Sequence, residues 1–472
     1  MQPMMGKRLV LFPLPLEGHL NPMFQLAGIL HSMGFSISIV HTHFNAPNPN
    51  EHTDFTFHPI SDGLLENGAS TVASVGLIST LNVKCVVPFR DCLSHMLLSG
   101  ASDQGDPIAC LITDAAWHFT QVIADGLKLP RIVLRTSNMS SFVVYAALPL
   151  LREKGYLPVR DPQSEEPVPE LPPLKVKDIP RFKTADSEVF YNLNSRLCEE
   201  TKASRGIIFN SFEKLEESEK AIIQREFGVP VFPIGPFHRC SQASSSSLLT
   251  PDQSCISWLN QQAPKSVLYV SFGSLAMFDE AEFLEIAWGL ANSKQPFLWA
   301  VRPGLVHGFV GSYPMPDELM DAVAGRAHIV EWAPQQKVLR HPATGGFWTH
   351  SGWNSTLESI CEGVPMICLP CFGDQLVNAR YVSDVWKIGL RFENNPTRGE
   401  IEKKIKALMT EREAGAARVI LSFLGHWGDL VSLVWEQLGA SQLKQQELFL
   451  GLLLFPTHPW GLLARTKGDV LT

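Results

Sequence analysis

Short apolar runs bounded by turn residues, each followed by a segment of helical period, recur along both halves of this chain. That alternation constrains the fold more than any other feature. Residues 7–12 (KRLVLF) form the first run, and the loop PLPLEGHLNP interrupts it. Asn21 then reads as a helix N-cap with Pro22 in the first helical position, where a missing N–H does no harm. The helix is expected to reach about Met33, Gly34 ends it, and residues 35–41 form the next strand. Strand, helix and strand within about 35 residues make a βαβ unit, which requires parallel strands and a right-handed crossover.

The rhythm predicts further strands at 108–113, 131–134 and 205–210, with a helix after Asp114 and an acidic helix (FEKLEESEKAII) after the last of them. Six prolines between 158 and 173 predict a surface loop. Residues 238–252 contain SQASSSS, a polar low-complexity linker. Beyond it the alternation restarts, with strands expected at 266–272, 297–301, 328–332, 346–350 and 365–369. The predicted architecture is α/β: two Rossmann-like domains, 1–237 and 253–417, facing across a cleft, followed by a C-terminal tail at 418–472. In such sheets ligands bind beyond the carboxyl ends of the strands.

Composition removes several function classes. The chain carries 39 basic against 47 acidic residues, a formal charge of −8, with no Lys/Arg block. A nucleic-acid partner needs clustered positive charge and is therefore not expected. The longest apolar runs, such as 448–455, fall short of the ~20 residues that span a bilayer. The N-terminus lacks a signal-peptide pattern, its apolar run being cut by Pro13 and Pro15. Nine cysteines at irregular spacing read as reduced thiols, and the protein is expected to be cytoplasmic. Cys368 and Cys371 (CLPC) lack two further ligands at zinc-site spacing, and His41 and His43 read as surface or packing residues. No G-x-G-x-x-G opens either domain and no P-loop motif exists, so dinucleotide dehydrogenases and P-loop NTPases lose their main support.

Two ionisable residues lie just past strand ends in the first domain. His19 follows the first strand and Asp114 directly follows CLIT. Each alone reads more readily as a loop histidine or a helix-capping aspartate than as a catalytic group. Their shared sheet edge suggests a histidine base oriented by a carboxylate. In the second domain TGGFWTHSGWNSTLESICEG places a strand, a Ser-Gly-Trp turn, and a helix opened by Asn354 and Ser355, with Glu358 on its first turn. Free N–H groups and small polar side chains at a helix start suit a diphosphate. The SFGS turn, with Gly273 and Ser274, offers a second backbone cradle.

The 44 residues from 332 to 375, WAPQQKVLRHPATGGFWTHSGWNSTLESICEGVPMICLPCFGDQ, resemble the donor-binding box of plant family 1 UDP-dependent glycosyltransferases. GHLNP, LITD and LYVSFGS extend the resemblance to about Met409. FPLPLEGHLNP, HTHFNAP and ESICEGVPMICLPC are most similar to the branch holding cytokinin N-glucosyltransferases, benzoxazinoid glucosyltransferases and steviol-glycoside glucosyltransferases. The resemblance implies the two-domain GT-B fold, an acceptor site in the first domain and a UDP-sugar in the second. It assigns the uracil ring to Trp332 and its edge to the Ala333 backbone. The ribose falls to Gln335 and Glu358, and the diphosphate to His350, Asn354, Ser355 and Ser274. The sugar falls to the Trp353 backbone, Asp374, Gln375 and Thr136, with Gln375 pointing to glucose. His19 becomes the base and Asp114 its partner. The implied enzyme is an inverting hexosyltransferase of secondary metabolism that makes a β-glucoside of a small hydrophobic acceptor without a metal or other cofactor. Family members end with a Gly-Gly-Ser-Ser stretch and a helix that returns to the first domain. After about Ala417 this chain instead resembles out-of-frame or alternatively spliced sequence, apolar and carrying Trp427, Trp435 and Trp460. The competing expectation is therefore a catalytically weak UDP-sugar-binding isoform.

Overall fold

A computed structural model describes residues 7–64, 74–100, 106–161, 164–182, 187–241, 249–309 and 311–410. Residues 242–248 of the expected linker, the domain end at 417 and the tail from 418 lie outside the described residues.

The described residues form two compact units, each organised on one parallel sheet. In the first, the strands are β1 (Arg8–Phe12), β2 (Ser36–Thr42), β3 (Phe55–Ile60), β4 (Ile108–Asp114), β5 (Arg131–Arg135), β6 (Ile207–Phe209) and β7 (Val231–Pro233), in the order β3-β2-β1-β4-β5-β6-β7. Alternate residues of β1 serve opposite faces. Leu9 and Leu11 join a core with Leu20, Phe24 and Leu30 of helix Glu17–Ser32, whereas Val10 and Phe12 pack with Leu81, Phe89 and Trp117. A sheet covered on both faces explains why its strands read as continuous apolar runs rather than alternating ones.

The second unit has β8 (Val267–Ser271), β9 (Phe297–Ala300), β10 (Ala327–Val330), β11 (Thr344–Thr349), β12 (Met366–Cys368) and β13 (Gly389–Arg391), in the order β10-β9-β8-β11-β12-β13. Both sheets reverse direction beside their first strand, between β1 and β4 and between β8 and β11. Such switch points open a crevice at the carboxyl edge. The last described helix, Arg398–Thr410, buries Ile401, Ile405 and Leu408 at helical spacing and is boxed at its start by Thr397 and Glu400. Arg398 ties it to Glu285 on helix Glu280–Ser293.

Three features differ from the sequence reading. Strands β3, β7 and β13 were not expected. The first two lie at sheet edges and carry proline, which removes a ladder donor, and the third is only three residues long. The first helix begins at Glu17 rather than after Asn21, because the His19 and Leu20 N–H groups already bond the Leu16 carbonyl. The helix continues through Pro22. Finally, the expected first domain ran unbroken to 237, but Leu150–Lys183 groups with the second unit.

An ion network accounts for that grouping. Asp178 is 0% exposed and accepts hydrogen bonds from Arg380 Nε at 2.8 Å and Arg391 Nη1 at 2.8 Å. Lys177 pairs with Glu165 and Glu393, and Arg391 also reaches Glu393 at 2.8 Å. The Arg181 carbonyl accepts the Gly373 N–H at 2.9 Å. Removing one partner of a buried pair strands the opposite charge, at a cost of about 3–5 kcal/mol. Asp178→Ala, which leaves two buried guanidinium groups only their half-exposed partners Asp384 and Glu393, is expected to lower the urea-unfolding stability of the second unit by a corresponding amount. A change below ~1 kcal/mol, the worth of an exposed pair, would mean that the network is not what holds this segment.

Candidate active site

In the first unit the site is built at the β1–β4 switch. Phe12 is registered with Thr113, so the chain leaves β1 beside Asp114, the last residue of β4. His19, in the first turn of helix Glu17–Ser32, places Nδ1 2.7 Å from Asp114 Oδ2. The other Asp114 oxygen accepts the Ala116 N–H at 2.8 Å. The Asp114 side chain is 1% exposed and that of His19 27%. A buried carboxylate bonded in this way holds the imidazole proton on Nδ1 and makes Nε2 the basic nitrogen. Thr136, on the turn after β5, has its hydroxyl 3.1 Å from the same Nδ1. The resemblance assigns Thr136 to the sugar; within the first unit its hydroxyl meets the histidine.

In the second unit Ser271 is registered with Thr349, so the SFGS and HSGW turns leave the sheet side by side. His350 fills the space between their backbones. A Cβ on Gly273 would lie 2.6 Å from His350 Cε1, and one on Gly352 would lie 2.4 Å from Nε2. Gly273 also has φ +69, in the left-handed region. Burial lowers the His350 pKa to about 4; the Ser271 backbone opposes the shift and nearby Arg302 adds to it. At neutral pH the ring of the unliganded chain is uncharged and offers a dipole rather than a cation. Arg302 braces the turn, its Nε donating to the Gly273 carbonyl at 2.9 Å and its guanidinium also to the carbonyls of Ala276 and Pro303. Ser274 lies in this braced turn.

The helix expected to open at Asn354 and Ser355 starts one residue earlier, as Trp353–Cys361, with Gly352 as its N-cap and no side-chain cap. Its first-turn N–H groups therefore retain the positive end of the helix for an anion. Glu358 sits in the second turn rather than the first. It accepts Gln335 Nε2 at 2.8 Å and Gln336 Nε2 at 2.9 Å. Gln335 also donates to Ser355 Oγ at 3.0 Å, and Tyr269 donates to Gln335 Oε1 at 3.3 Å. Burial raises the Glu358 pKa, with the two amides opposing it. A desolvated carboxylate backed by amides suits a pair of ligand hydroxyl donors. The Trp332 carbonyl accepts the Asp252 N–H at 2.8 Å, and Ala333 is buried beside it.

Asp374 and Gln375 open helix Gln375–Arg380. Gln375 Oε1 accepts the N–H groups of Cys371 at 2.8 Å and Phe372 at 3.2 Å, which leaves Nε2 as the donor. Asn378 Nδ2 bridges Asp374 Oδ2 at 3.1 Å and the Ser351 carbonyl at 2.9 Å. The fold thus gathers the second-unit residues of the motif, with buried Trp353 among them, and separately gathers His19, Asp114 and Thr136. Tyr269, Gln336, Asn378 and Arg302 were missed. Only Gln336 had a signal, its place in the first turn beside Gln335. Among the described residues no group of His, Cys, Asp or Glu is gathered as a metal site, and no helix is long and apolar enough to cross a membrane.

Residues 232–426 match the family model for UDP-glucoronosyl and UDP-glucosyl transferases. The chain is 52% identical over 408 residues to UDP-glycosyltransferase 76B1 of Arabidopsis thaliana, spanning 86% of this chain and 90% of that one. It belongs to the plant UDP-glycosyltransferases. DIMBOA UDP-glucosyltransferase BX8 of Zea mays is 42% identical over 419 residues, covering 87% and 91% of the two chains. Phytolacca americana UGT2, solved with UDP-2fluoro-glucose and pterostilbene, superposes with a TM-score of 0.72 at 29% identity, covering 89% of this chain and 94% of that one. The two Rossmann-like units are thus those of the GT-B glycosyltransferases, and the chain is a hexosyltransferase. Gly273→Ala is expected to displace His350 and to weaken UDP binding by about 5- to 150-fold, for a strain of ~1–3 kcal/mol. Calorimetric titration with UDP measures this, and an unchanged affinity would show that the ring does not depend on the two glycines.

Proposed function

We propose that this glycosyltransferase moves glucose from UDP-glucose to a hydroxyl or ring nitrogen of a small hydrophobic plant metabolite or hormone, of cytokinin, benzoxazinoid, flavonoid or terpenoid type. The product is a β-glucoside. The observation that carries the reading is the buried Asp114 carboxylate held 2.7 Å from His19 Nδ1 at a sheet switch point. Nε2 takes the proton of the acceptor hydroxyl as its oxygen attacks the anomeric carbon from the face opposite the diphosphate. The bond from that carbon to the diphosphate oxygen breaks, and UDP leaves with the electron pair. Asp114 stabilises the imidazolium formed. Charge developing on the diphosphate meets the first-turn N–H groups of helix Trp353–Cys361, the Ser274 turn and the His350 dipole. Trp332 and Ala333 receive the uracil, Gln335 and Glu358 the ribose, and Asn354 and Ser355 complete the diphosphate cradle. Asp374, Gln375 and the Trp353 backbone hold the glucose hydroxyls. The maize relative is a DIMBOA UDP-glucosyltransferase by name, which supports glucose as the sugar transferred.

His19→Ala is expected to lower kcat by ~10²–10⁴-fold while leaving UDP affinity nearly unchanged, because the base and the nucleotide residues belong to different units. An equal loss of UDP binding in a titration would make the role of His19 structural. Gln375→His is expected to shift donor preference from UDP-glucose toward UDP-galactose. The imidazole can still accept a loop N–H, but it presents its donor at a different reach. A donor competition assay with an unchanged ratio would assign sugar discrimination to another residue.

A further inference from the structure

The Asp114 carboxylate owes its orientation to the turn that follows β4, and that turn is held from outside. Asn82 lies on helix Ser74–Lys84 and is 1% exposed. Its Nδ2 donates to the Ala116 carbonyl at 2.8 Å, and its Oδ1 accepts the His118 N–H at 2.8 Å. Nδ2 also donates to the Ile78 carbonyl, one turn back, at 2.9 Å. The orientation of the carboxamide is forced. Rotated by half a turn, it would set an oxygen against two carbonyls and an NH₂ group against an N–H. The first of these groups belongs to Ala116, whose own N–H grips Asp114 Oδ1 at 2.8 Å. A continuous chain of hydrogen bonds therefore runs from Asn82 through Ala116 and Asp114 to His19.

We infer that Asn82 is a positioning residue for the proton-accepting pair: its side chain fixes the turn at 116–118 so that Asp114 meets His19 in line. The inference rests on the reading of His19 as the base. Among the described residues no other side chain bonds the Ala116 carbonyl or the His118 N–H. Without Asn82 the buried Ala116 carbonyl and the part-buried His118 N–H lose their partner, and the turn moves to recover one. Misplacement of a reacting group by about 1 Å costs on the order of 10²-fold in rate.

The test is turnover of UDP-glucose with substituted phenols, from 4-nitrophenol, largely ionised at assay pH, to phenol itself, which needs a base. Asn82→Leu is expected to lose ~10- to 100-fold with phenol and only a few-fold with 4-nitrophenol, with KM for UDP-glucose unchanged. His19→Ala should show the same steepening, and the double variant should lose little more than His19→Ala alone. Asn194→Leu removes a buried amide bond to the Tyr145 carbonyl in the same unit and should lower all phenols equally. A uniform loss in Asn82→Leu, or losses that multiply in the double variant, would overturn the inference while leaving the base in place. Absence of steepening in His19→Ala would overturn the base itself. Asn82→Asp, which keeps the acceptor for His118 but not the donor for Ala116, provides a second variant. Insolubility of both would assign Asn82 to folding and overturn the positioning role.

Discussion

Parallel pairing of β1 with β4 is the constraint on which the proposed proton-accepting site depends. It sets Phe12 beside Thr113 and so joins residues 95 positions apart in sequence, His19 and Asp114, at 2.7 Å. Parallel strands need crossovers that return over the sheet faces, so every strand ends at the same edge and its loops collect there. The same geometry operates in the second unit. Pairing of β8 with β11 places Ser271 opposite Thr349 and lets two glycine-containing turns enclose one imidazole. Each half of the chemistry therefore occupies the position that its own sheet leaves open.

The two halves reach functional polarity by different means. In the first, a buried carboxylate is stabilised by an N–H and an imidazole, an arrangement that becomes more favourable as the ring gains a proton. In the second, His350 is stripped of solvent until its pKa falls to about 4, so the ring offers a dipole rather than a fixed cation to the proposed diphosphate position. Arg302 contributes positive potential while its hydrogen bonds are spent on three backbone carbonyls of the turns around it. Preorganised dipoles need no rearrangement as charge develops on a leaving group.

Stability and site are coupled in the second unit through Leu150–Lys183. Asp178, between Arg380 and Arg391, ties this segment to the end of helix Gln375–Arg380, whose first turn carries Asp374 and Gln375. The segment and the helix opened by Asp374 and Gln375 thus share one buried charge. The Gly373 N–H bonded to the Arg181 carbonyl adds a backbone link directly beside them.

The sequence by itself determined the strand–helix alternation, the positions of His19 and Asp114 at strand ends, and the donor motif from Trp332 to Gln375. These are local: apolar runs, turn residues and a contiguous stretch of fixed spacing record them without knowledge of what packs against what. Only the tertiary structure decided the partners. Asn82 bonds residues 34 and 36 positions away, and Asp178 bonds Arg380 and Arg391 at 202 and 213. No pattern in a linear chain marks an asparagine or an aspartate for such contacts. The edge strands β3 and β7 stayed hidden because their prolines weaken the signal while pairing on one side still holds them. The helix start at Glu17 stayed hidden because backbone bonds to Leu16, and no side-chain cap, begin it. Register, burial and the choice of hydrogen-bond partner belong to long-range packing, and those three quantities turn a readable motif into a working arrangement of atoms.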